Sequence, residues 1–515
     1  MTVEWRSAVS VSKERTVSLW MEVAVAPEAA PLTGHLETDV VVIGSGIAGL
    51  SAAYELGQRG MRVAVVDRGP IGMGQTARTT AHLASDSDDS FAALIETRGL
   101  DMAKLFYQSQ AAAIDRIEAV QTIERIACNF RRVDGVLFPG LGHDPAELDG
   151  ERDAARKIGI PVTDTRGLPF AGLEKTRCLT YDRQATFHPL LYLRGLAAAI
   201  TAKGSRLHAD TAVESVEEKD GRVAVKCVNG ATISARHAVV ATNSPIADWV
   251  AIHSKQGPYR TYAMAFALPR GTLHDALYWD THDPYHYVRL DPGPDGGDYL
   301  IVGGEDHKTG EADDGKNRFE ALEAWTRALV PSLGRETHRW SGQCYEPIDG
   351  CGFMGRNPGN ENVYIITGDS GQGITHGVAG ALMIADLILT GKSPWTELYE
   401  PARKPLSAIK QYVTENITAI KSFAEYISPG ELGSVDELPP GRGAVIRAGL
   451  GKVAAFRDEH GQLHVRSAKC SHLGCVVHWN STERCWDCPC HGSQFGIDGE
   501  VLNAPAISPL APAEK

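Results

Sequence analysis

The chain has 515 residues, of which 43% are apolar and 22% are charged, and its formal net charge is −13. This length exceeds what one ordinary hydrophobic core supports, so two or three domains are expected. The acidic balance argues against nucleic-acid binding, and no uninterrupted apolar run approaches the ~18 residues that span a bilayer. Charged side chains also interrupt the N-terminus, which predicts no signal peptide and a cytoplasmic protein.

The first predicted unit is a βαβ unit that follows an N-terminal arm over residues 1–36. A short apolar strand over 39–43 leads into a glycine-rich turn over 44–49, and a helix over 50–59 and a strand over 62–67 complete the unit. The turn reads G-S-G-I-A-G. A G-x-G-x-x-G turn between a strand and a helix is the setting in which a dinucleotide pyrophosphate binds.

Each glycine of this turn has its own task. Gly44 allows the tight turn, Gly46 lets the backbone approach the pyrophosphate, and Gly49 permits close packing of the helix on the strand. The pyrophosphate then lies at the helix N-terminus, where free N–H groups and the helix dipole favour it. Asp67, at the end of the second strand, can accept hydrogen bonds from ribose hydroxyls, and its charge disfavours the 2′-phosphate of NADP. The turn does not distinguish FAD from NAD.

The middle of the chain is predicted to alternate between helices and strands. The expected elements are a helix over 100–125, irregular structure over 130–180, strands within 206–242, a sheet over 259–305, and a helix over 374–390 that ends at Gly391. Gly373, Gly377 and Gly380 share one face of the last helix, which lets it approach another backbone or a flat ring closely.

Five of the ten cysteines lie between Cys470 and Cys490, which indicates a metal site rather than a disulfide scaffold. Two boxes, C-S-H-L-G-C from residue 470 and C-P-C-H-G-S from residue 488, each offer one thiolate and one imidazole. Two Cys on one iron and two His on the other make a Rieske 2Fe–2S centre, whereas a zinc site uses the same ligand types. Spacing alone leaves both open. In either case the expected ligands are Cys470, His472, Cys488 and His491.

The flanks of these boxes resemble the Rieske family closely. The resemblance implies a 2Fe–2S cluster and a disulfide between Cys475 and Cys490. It also implies that the Ser493 hydroxyl donates to a cluster sulfur, which raises the reduction potential. High-potential members add a Tyr two residues later, where this chain has Phe495, so a potential below that of respiratory Rieske proteins is expected. Cys485 has no assigned role and is expected to be a packing or surface residue.

Residues 36–395 resemble the D-amino-acid-oxidase-like superfamily of FAD-dependent amine oxidoreductases. The matching segments are the βαβ unit and residues 74–82, 239–243, 340–350 and 368–377. The resemblance implies that FAD is the dinucleotide, with the 76–80 loop over the flavin and the 371–374 turn at its pyrimidine edge. The residues then expected to bind FAD are Gly44, Gly46, Ile47, Ala48, Gly49, Asp67, Arg68, Thr76, Thr80, Val213, Thr242, Asn243, Gly371, Gln372, Gly373 and Ile374.

Together the two resemblances predict an α/β fold joined to an all-β one. A Rossmann-type FAD-binding domain with an antiparallel-sheet substrate domain is followed by a small β-rich Rieske domain. The expected boundaries are the oxidoreductase over 37–395, a helical linker over 396–432 and the Rieske domain over 433–515. Within the oxidoreductase, FAD binding is assigned mainly to 37–95, 175–250 and 345–395, and substrate binding mainly to 96–174 and 251–344.

The expected substrate layer is the sheet within 251–344, where aromatic and polar side chains alternate. Tyr285 and Tyr287 can form a cage for a cationic amine, and Arg289 or Arg260 can pair with a substrate carboxylate. Tyr287 and Arg289, together with His82, are the predicted catalytic residues. The alternative is that the aromatic side chains pack the sheet and the arginines are solvated.

The resemblance implies oxidation of a C–N bond in an amine or amino acid. Because a reduced flavin holds two electrons and a Rieske centre one, the cluster can drain the flavin to an external acceptor, which makes a dehydrogenase. In a second hypothesis an external donor feeds the flavin through the cluster, which makes an oxygen-dependent monooxygenase or demethylase. In a third, the chain is a redox sensor. The expected partners are a small-molecule substrate and an external electron acceptor or donor.

Overall fold

The computed structural model describes residues 14–246, 252–293, 296–404, 422, 425–449 and 451–513. Within these residues the chain forms eight α-helices. They are α1 Ile47–Gln58, α2 Phe91–Arg98, α3 Leu100–Ile123, α4 Leu148–Ile158, α5 Pro189–Ala202, α6 Gly315–Leu329, α7 Gly373–Thr390 and α8 Thr396–Tyr399. Short 3₁₀ turns lie at Gln75–Arg78, Pro145–Glu147, His253–Lys255, Glu425–Ile427 and Val435–Glu437.

The strands of the described residues fall into three sheets before the linker and two after it. Those before the linker are β1 His35–Glu37, β2 Val40–Ile43, β3 Val63–Val66, β4 His82–Leu83, β5 Arg131–Phe138, β6 Val162–Arg166, β7 Arg177–Thr186, β8 Arg206–His208, β9 Val213–Lys219, β10 Arg222–Cys227, β11 Thr232–Ala235, β12 His237–Val240, β13 Gln256–Leu268, β14 Ala276–Asp280, β15 His286–Pro292, β16 Asp298–Lys308, β17 Glu336–Pro347, β18 Phe353–Arg356 and β19 Val363–Thr367. Those after it are β20 Arg442–Ala448, β21 Gly451–Arg457, β22 Leu463–Ser467, β23 His478–Asn480, β24 Cys485–Asp487, β25 Gln494–Phe495 and β26 Val501–Asn503.

A six-stranded sheet in the order β18-β19-β12-β2-β3-β8 carries the predicted βαβ unit. Its pairs are parallel except for β18 with β19. Every residue of β2 and β3 is buried, which suits their uninterrupted apolar sequences in a sheet covered on both faces. Helix α1 packs against α5 and α7. A separate small sheet, β1-β11-β10-β9, flanks this layer.

The glycine-rich turn is as crowded as its sequence predicts. Gly44 has a φ of +100°, and a Cβ there would lie 2.3 Å from the carbonyl oxygen of Ala241. A Cβ on Gly49 would lie 1.9 Å from the carbonyl oxygen of Gly44. Glycine is therefore the only residue that lets α1 begin this close to the end of β2.

The third sheet before the linker follows the order β17-β13-β16-β15-β14-β5-β7-β4, with β6 paired to β7. Its pairs are antiparallel except for β5 with β14. The prediction of irregular structure over 130–180 is wrong, because β5, α4, β6 and the start of β7 lie there. Two end signals of this stretch were readable: Asp144 caps the 3₁₀ turn that leads into α4 by accepting a hydrogen bond from the N–H of Ala146, and Gly159 ends α4 with a φ of +95°.

Helix α7 begins at Gly373 and ends before Gly391, whose φ is +73°, close to the predicted bounds. By length and apolar composition it is the one helix of the described segments that could cross a membrane, and 67% of its 18 residues are buried inside the protein. Its sequence is not an uninterrupted apolar run, because polar residues, among them His376, interrupt it.

The C-terminal part forms two antiparallel sheets, β20-β21-β22 and β23-β24-β25-β26. The two cysteine boxes form the loops before β23 and between β24 and β25. Of the predicted helical linker, α8 is seen, whereas residues 405–421 and 423–424 lie outside the described residues. Residues 1–13 of the predicted arm also lie outside them, and 14–34 run without helix or strand.

We expect Gly49→Ala to lower the thermal unfolding midpoint and the FAD content, because the added methyl would clash with a backbone carbonyl that cannot move alone. Overpacking of this kind costs about 1–3 kcal/mol and sometimes more. Gly150→Ala in α4 is the matched control, since its Cβ would meet nothing within 4 Å. It should be neutral or stabilising by up to ~1 kcal/mol. Equal midpoints for the two variants would refute the assigned role of Gly49.

Candidate functional site

A cavity of about 540 Å³ opens at the carboxyl ends of the parallel strands. Its wall includes residues that directly follow or end four strands: Gly44, Asp67, Ala241 and Thr367. This is the edge of a doubly wound sheet at which nucleotides bind. The volume lies within the range of cofactor pockets, roughly 300–1,000 Å³.

Most residues that the sequence predicts for FAD binding line this one cavity. They are Gly44, Gly46, Ile47, Ala48, Asp67, Arg68, Thr76, Thr80, Val213, Thr242, Asn243, Gly371, Gly373 and Ile374. Gly49 and Gln372 are not among the lining residues. Gly49 lies under the turn, and the amide of Gln372 donates to the main-chain oxygen of Asp86 at 2.9 Å.

The wall offers the polar groups and the close approach that a dinucleotide needs. The carboxylate of Asp67 is held by the N–H groups of Ser45, at 2.7 Å, and Gly69, at 3.0 Å. Nη1 of Arg68 is buried without a hydrogen-bond partner, which suits a donor that meets an anionic or polar group of a ligand. A Cβ on Gly377 would lie 3.2 Å from Ala48, so α7 and α1 pack backbone to backbone beside the cavity. These residues fit FAD.

The three predicted catalytic residues do not share this wall. Tyr287 lines the cavity, and its hydroxyl lies 3.1 Å from Oγ1 of Thr261. Burial raises the pKa of Tyr287, so its hydroxyl is a hydrogen-bond donor rather than a base. His82 packs edge-on against the Tyr287 ring, behind the wall, and burial lowers its pKa to about 3, which keeps the imidazole neutral.

Arg289 and Arg260 are both fully buried, and both guanidinium groups bind other groups of the protein. Arg289 donates to the carbonyl oxygens of Ala81, at 2.8 Å, and Phe187, at 3.1 Å, and pairs with Asp291. Neither arginine lines the cavity. The structure therefore does not place either guanidinium where it would meet a substrate carboxylate, because strand alternation turns both side chains into the packed interior.

The four predicted cluster ligands lie together between the two cysteine boxes. The thiols of Cys470 and Cys488 are within hydrogen-bond range of each other, and the rings of His472 and His491 have centroids 5.1 Å apart. Backbone N–H groups of His472 and His491 point at these thiols. Nδ1 of His491 is buried without a hydrogen-bond partner, as expected of a nitrogen that binds a metal. The set fits a 2Fe–2S cluster.

The neighbouring cysteines form the predicted disulfide between Cys475 and Cys490. The sulfur atoms of this pair and of Cys488 lie within 4.8 Å of one another, but disulfide sulfurs are not thiolate ligands. The Ser493 hydroxyl is in hydrogen-bond contact with the thiol of the expected ligand Cys470. Cys485 is completely buried, so it is a packing residue rather than a surface one.

The second cysteine box packs directly on the wall of the cavity. Gln343 lines the cavity, and its amide donates to the carbonyl oxygen of Gly492 at 2.8 Å. The Tyr345 hydroxyl donates to the carbonyl oxygen of His491 at 3.1 Å. The ring of His253 lies 5.0 Å from that of His472. Strand β26, which follows the box, itself lines the cavity. Nothing in the local sequence around these residues signals this contact.

Five buried ionisable side chains form a network at the same interface between the C-terminal domain and the rest of the protein. Arg78 contacts Glu14 at 2.9 Å and Glu483 at 3.2 Å, and Arg260 contacts Asp487 at 3.2 Å. Burial raises the pKa of Glu14. Burial also opposes ionisation of Glu483, but Arg78 and Arg260 outweigh it and lower its pKa. The network joins the N-terminal arm, the loop expected over the flavin, strand β13 and the C-terminal domain.

Comparison with known proteins matches both parts of the chain. The family model described as FAD dependent oxidoreductase (DAO) matches residues 39–387, and the Rieske [2Fe-2S] domain model matches residues 428–514. The first spans more than half of the chain. The chain therefore belongs to the DAO family of FAD-dependent oxidoreductases and carries a C-terminal Rieske domain. The expected cofactors, FAD and a 2Fe–2S cluster, are confirmed, and the zinc alternative is set aside.

The relatives found include proteins with one or both parts. The chain is 31% identical over 508 residues to YhfW of Bacillus subtilis (strain 168), whose name describes a Rieske 2Fe-2S iron-sulfur protein, with 97% of this chain and 98% of that protein covered. Glycine oxidase from Geobacillus kaustophilus superposes with a TM-score of 0.60 at 18% identity, covering 72% of this chain and 99% of that one. L-proline dehydrogenase from P. horikoshii gives 0.57 at 20% identity, covering 72% and 98%. These likenesses confirm the predicted fold class.

We expect Glu483→Gln to lower the thermal midpoint of the holoenzyme strongly, because it leaves Arg78 buried with less compensation. Breaking a buried ion pair from one side costs about 3–5 kcal/mol. Glu459→Gln is the matched control: Glu459 pairs with Arg484, next in the chain to Glu483, but 57% of its side chain is exposed. Exposed pairs contribute about 0–1 kcal/mol. If the thermal midpoint of Glu459→Gln falls as far as that of Glu483→Gln, the buried network does not stabilise the protein as proposed.

We expect Phe495→Tyr to raise the reduction potential of the cluster. Phe495 is fully buried in the same apolar cluster as Cys470 and Cys488, so a hydroxyl there could donate to cluster sulfur and stabilise the reduced form. An EPR-monitored redox titration of both proteins measures the difference. If the reduction potential of the variant is unchanged or lower, the Phe at position 495 is not the reason for a potential below that of respiratory Rieske proteins.

Proposed function

We propose that the protein is an FAD-dependent dehydrogenase that oxidises a C–N bond of an amine or amino acid and passes the electrons through its cluster to an external acceptor. The amine loses two electrons and two protons and becomes an imine, which water hydrolyses to a carbonyl compound and an amine. FAD supplies two-electron chemistry and the 2Fe–2S cluster one-electron chemistry. A one-electron carrier takes up one electron twice per turnover.

The contact between the second cysteine box and the cavity wall carries this proposal. Gln343 lines the cavity, and its side-chain amide donates to the carbonyl oxygen of the residue after the ligand His491. Tyr345 is only 1% exposed. Its hydroxyl lies within hydrogen-bond distance of the carbonyl oxygen of His491 and 3.4 Å from that of Ala504. Both contacts consist of buried protein atoms, which supports a short route for electrons between the cavity and the cluster loop.

The residue assignments follow from this placement. We assign the cluster to Cys470, His472, Cys488 and His491, and FAD to the lining residues given above. Tyr287, which faces the cavity, is assigned to hold the substrate. His82 and Arg289 are assigned to support the wall, because neither residue lines the cavity. The guanidinium of Arg289 donates its hydrogen bonds to backbone carbonyl oxygens instead.

The test is an anaerobic titration followed by visible and EPR spectra. Candidate amines and N-methyl amino acids should bleach the flavin absorbance and then give rise to a reduced-cluster EPR signal without any added reductase. If the cluster is reduced only by an added NADH-dependent reductase and no amine bleaches the flavin, electrons run toward the flavin and the dehydrogenase proposal is wrong.

The variant Tyr345→Phe tests whether electrons pass from the flavin to the cluster through this contact. We expect it to slow cluster reduction at least threefold in stopped-flow traces while flavin bleaching by substrate keeps its rate, because the variant loses the hydroxyl that donates to a carbonyl oxygen of the cluster domain. Tyr278→Phe is the matched control, since Tyr278 also donates from a buried ring to a backbone carbonyl, that of His274 at 2.9 Å, away from this interface. Equal cluster-reduction rates in the two variants would contradict the route.

A further inference from the structure

One segment of the cavity wall has five consecutive carbonyl oxygens bound to side chains from elsewhere in the protein. The segment is residues 76–81, which the family resemblance places over the flavin, and we call it the flavin loop. Thr76, Arg78, Thr79 and Thr80 of this loop line the cavity. The carbonyl oxygens of residues 77–81 each accept a hydrogen bond from a side-chain donor.

Two of the donors belong to the large antiparallel sheet. Arg289 of β15 donates to the carbonyl oxygen of Thr80 at 3.3 Å and to that of Ala81 at 2.8 Å. Nε1 of Trp340, on β17, donates to the carbonyl oxygen of Arg78 at 2.8 Å. These two donors account for three of the five oxygens.

The other two donors come from the N-terminal arm, before the first strand. The Ser18 hydroxyl donates to the carbonyl oxygen of Ala77 at 2.5 Å, and Nε1 of Trp20 donates to that of Thr79 at 2.7 Å. The backbone N–H of Trp20 in turn donates to the Ser18 hydroxyl at 3.2 Å. The two arm residues therefore orient each other as well as the loop.

All four donor side chains lie behind the wall rather than in the cavity. Ser18, Trp20, Arg289 and Trp340 are fully buried, and none of them is a lining residue of the cavity. An oxygen that is bonded to such a donor is directed into the packed interior. The flavin loop thus lines the cavity while the partial negative charges of its carbonyl groups are turned away from it.

The arm is itself held from two directions. The Trp20 ring packs edge-on against the ring of His188, with centroids 4.8 Å apart, and the guanidinium carbon of Arg289 lies 5.6 Å from the Trp20 ring centroid. Toward the C-terminal domain, the backbone N–H groups of Arg15 and Thr16 donate to the backbone oxygen and the carboxylate of Glu483, at 3.2 Å and 2.9 Å. The arm therefore runs from the Rieske domain to the flavin loop.

The direction of these carbonyl groups matters for a flavin. A buried carbonyl group that loses its donor is costly, and it regains a partner only by turning. In this loop a turned carbonyl group would bring partial negative charge toward the cavity. Charge close to the flavin ring tunes its electronics, and negative charge disfavours the reduced, more electron-rich ring.

We propose that the N-terminal arm is a working part of the FAD site, in which Ser18 and Trp20 are positioning residues that hold the flavin loop with its carbonyl oxygens away from the flavin. The arm precedes residue 39, where the match to the oxidoreductase family model begins, so this role belongs to a segment that the family match does not cover. The proposal concerns the FAD site alone and does not rest on the oxidation of a C–N bond.

The first test measures FAD affinity. Trp20→Phe keeps an aromatic ring and removes the N–H that binds Thr79, so the dissociation constant of FAD, followed by flavin fluorescence on dilution of the holoenzyme, should rise at least about fivefold. Ser18→Ala should act in the same direction. Trp325→Phe in α6 is the matched control, because Nε1 of Trp325 is buried without a hydrogen-bond partner in the described part of the chain. It should bind FAD as the unmodified protein does.

The second test measures the reduction of the flavin without substrate, by anaerobic titration with dithionite and redox dyes. At the midpoint potential of the unmodified flavin, the ratio of reduced to oxidised flavin should be at least threefold lower in Trp20→Phe and Ser18→Ala. The reduction potential of the cluster, measured by EPR in the same samples, should stay unchanged, because the hydrogen bonds lost go to the flavin loop.

The outcomes decide the role of the arm. If both variants match Trp325→Phe in FAD affinity and in the flavin ratio, the inference is overturned. It is also overturned if the flavin and cluster potentials shift together, since the substitutions then loosen the whole protein. If Trp20→Phe does not fold, Ser18→Ala alone decides. Because dithionite replaces the amine, the result is readable even if no amine or amino acid bleaches the flavin and the proposed function fails.

Discussion

A buried network of five ionisable side chains fixes how the two halves of the protein meet. Glu14, Arg78, Arg260, Glu483 and Asp487 come from four distant stretches of chain and are shielded from water together. Removing charges from water costs several kcal/mol per ion unless geometry and hydrogen bonds compensate. A loosely docked Rieske domain would leave these charges uncompensated, so the network permits one arrangement, with Thr16 and Ser341 supplying further hydrogen bonds.

That single arrangement decides what the cavity can do. It presses the second cysteine box against Pro258, Gln343 and Tyr345, where a Cβ on Gly492 would come within 2.5–2.7 Å of all three. It also brings β26 into the cavity wall, so the Rieske domain helps to enclose the FAD site. The same interface holds Arg260 in an ion pair with Asp487, so its guanidinium is not available to a ligand in the cavity.

Much of the fold was predictable, and so were many of the residues that line the cavity, because their signals are local. The spacing within the 44–49 turn predicted the βαβ unit, and the two cysteine boxes predicted the pairing of Cys475 with Cys490 through family resemblance. Irregular structure over 130–180 was a wrong prediction, since β5 and β7 are stabilised by their neighbours in a wide sheet rather than by strong alternation of their own. Arg289 was predicted to bind substrate because alternation along a strand separates its two faces. It does not show which of the two faces lies against the cavity.

By itself the sequence determined that this protein holds FAD and a Rieske cluster, and which short motifs surround them, because turns, caps and ligand boxes depend on residues a few positions apart. Only the tertiary structure decided that Glu483 reaches Arg78, 405 residues earlier, that Gln343 bridges the cavity and the cluster loop, and that neither Arg260 nor Arg289 lines the cavity. These contacts depend on how separate sheets pack. That packing is set by the summed burial of many side chains, and no local pattern encodes it.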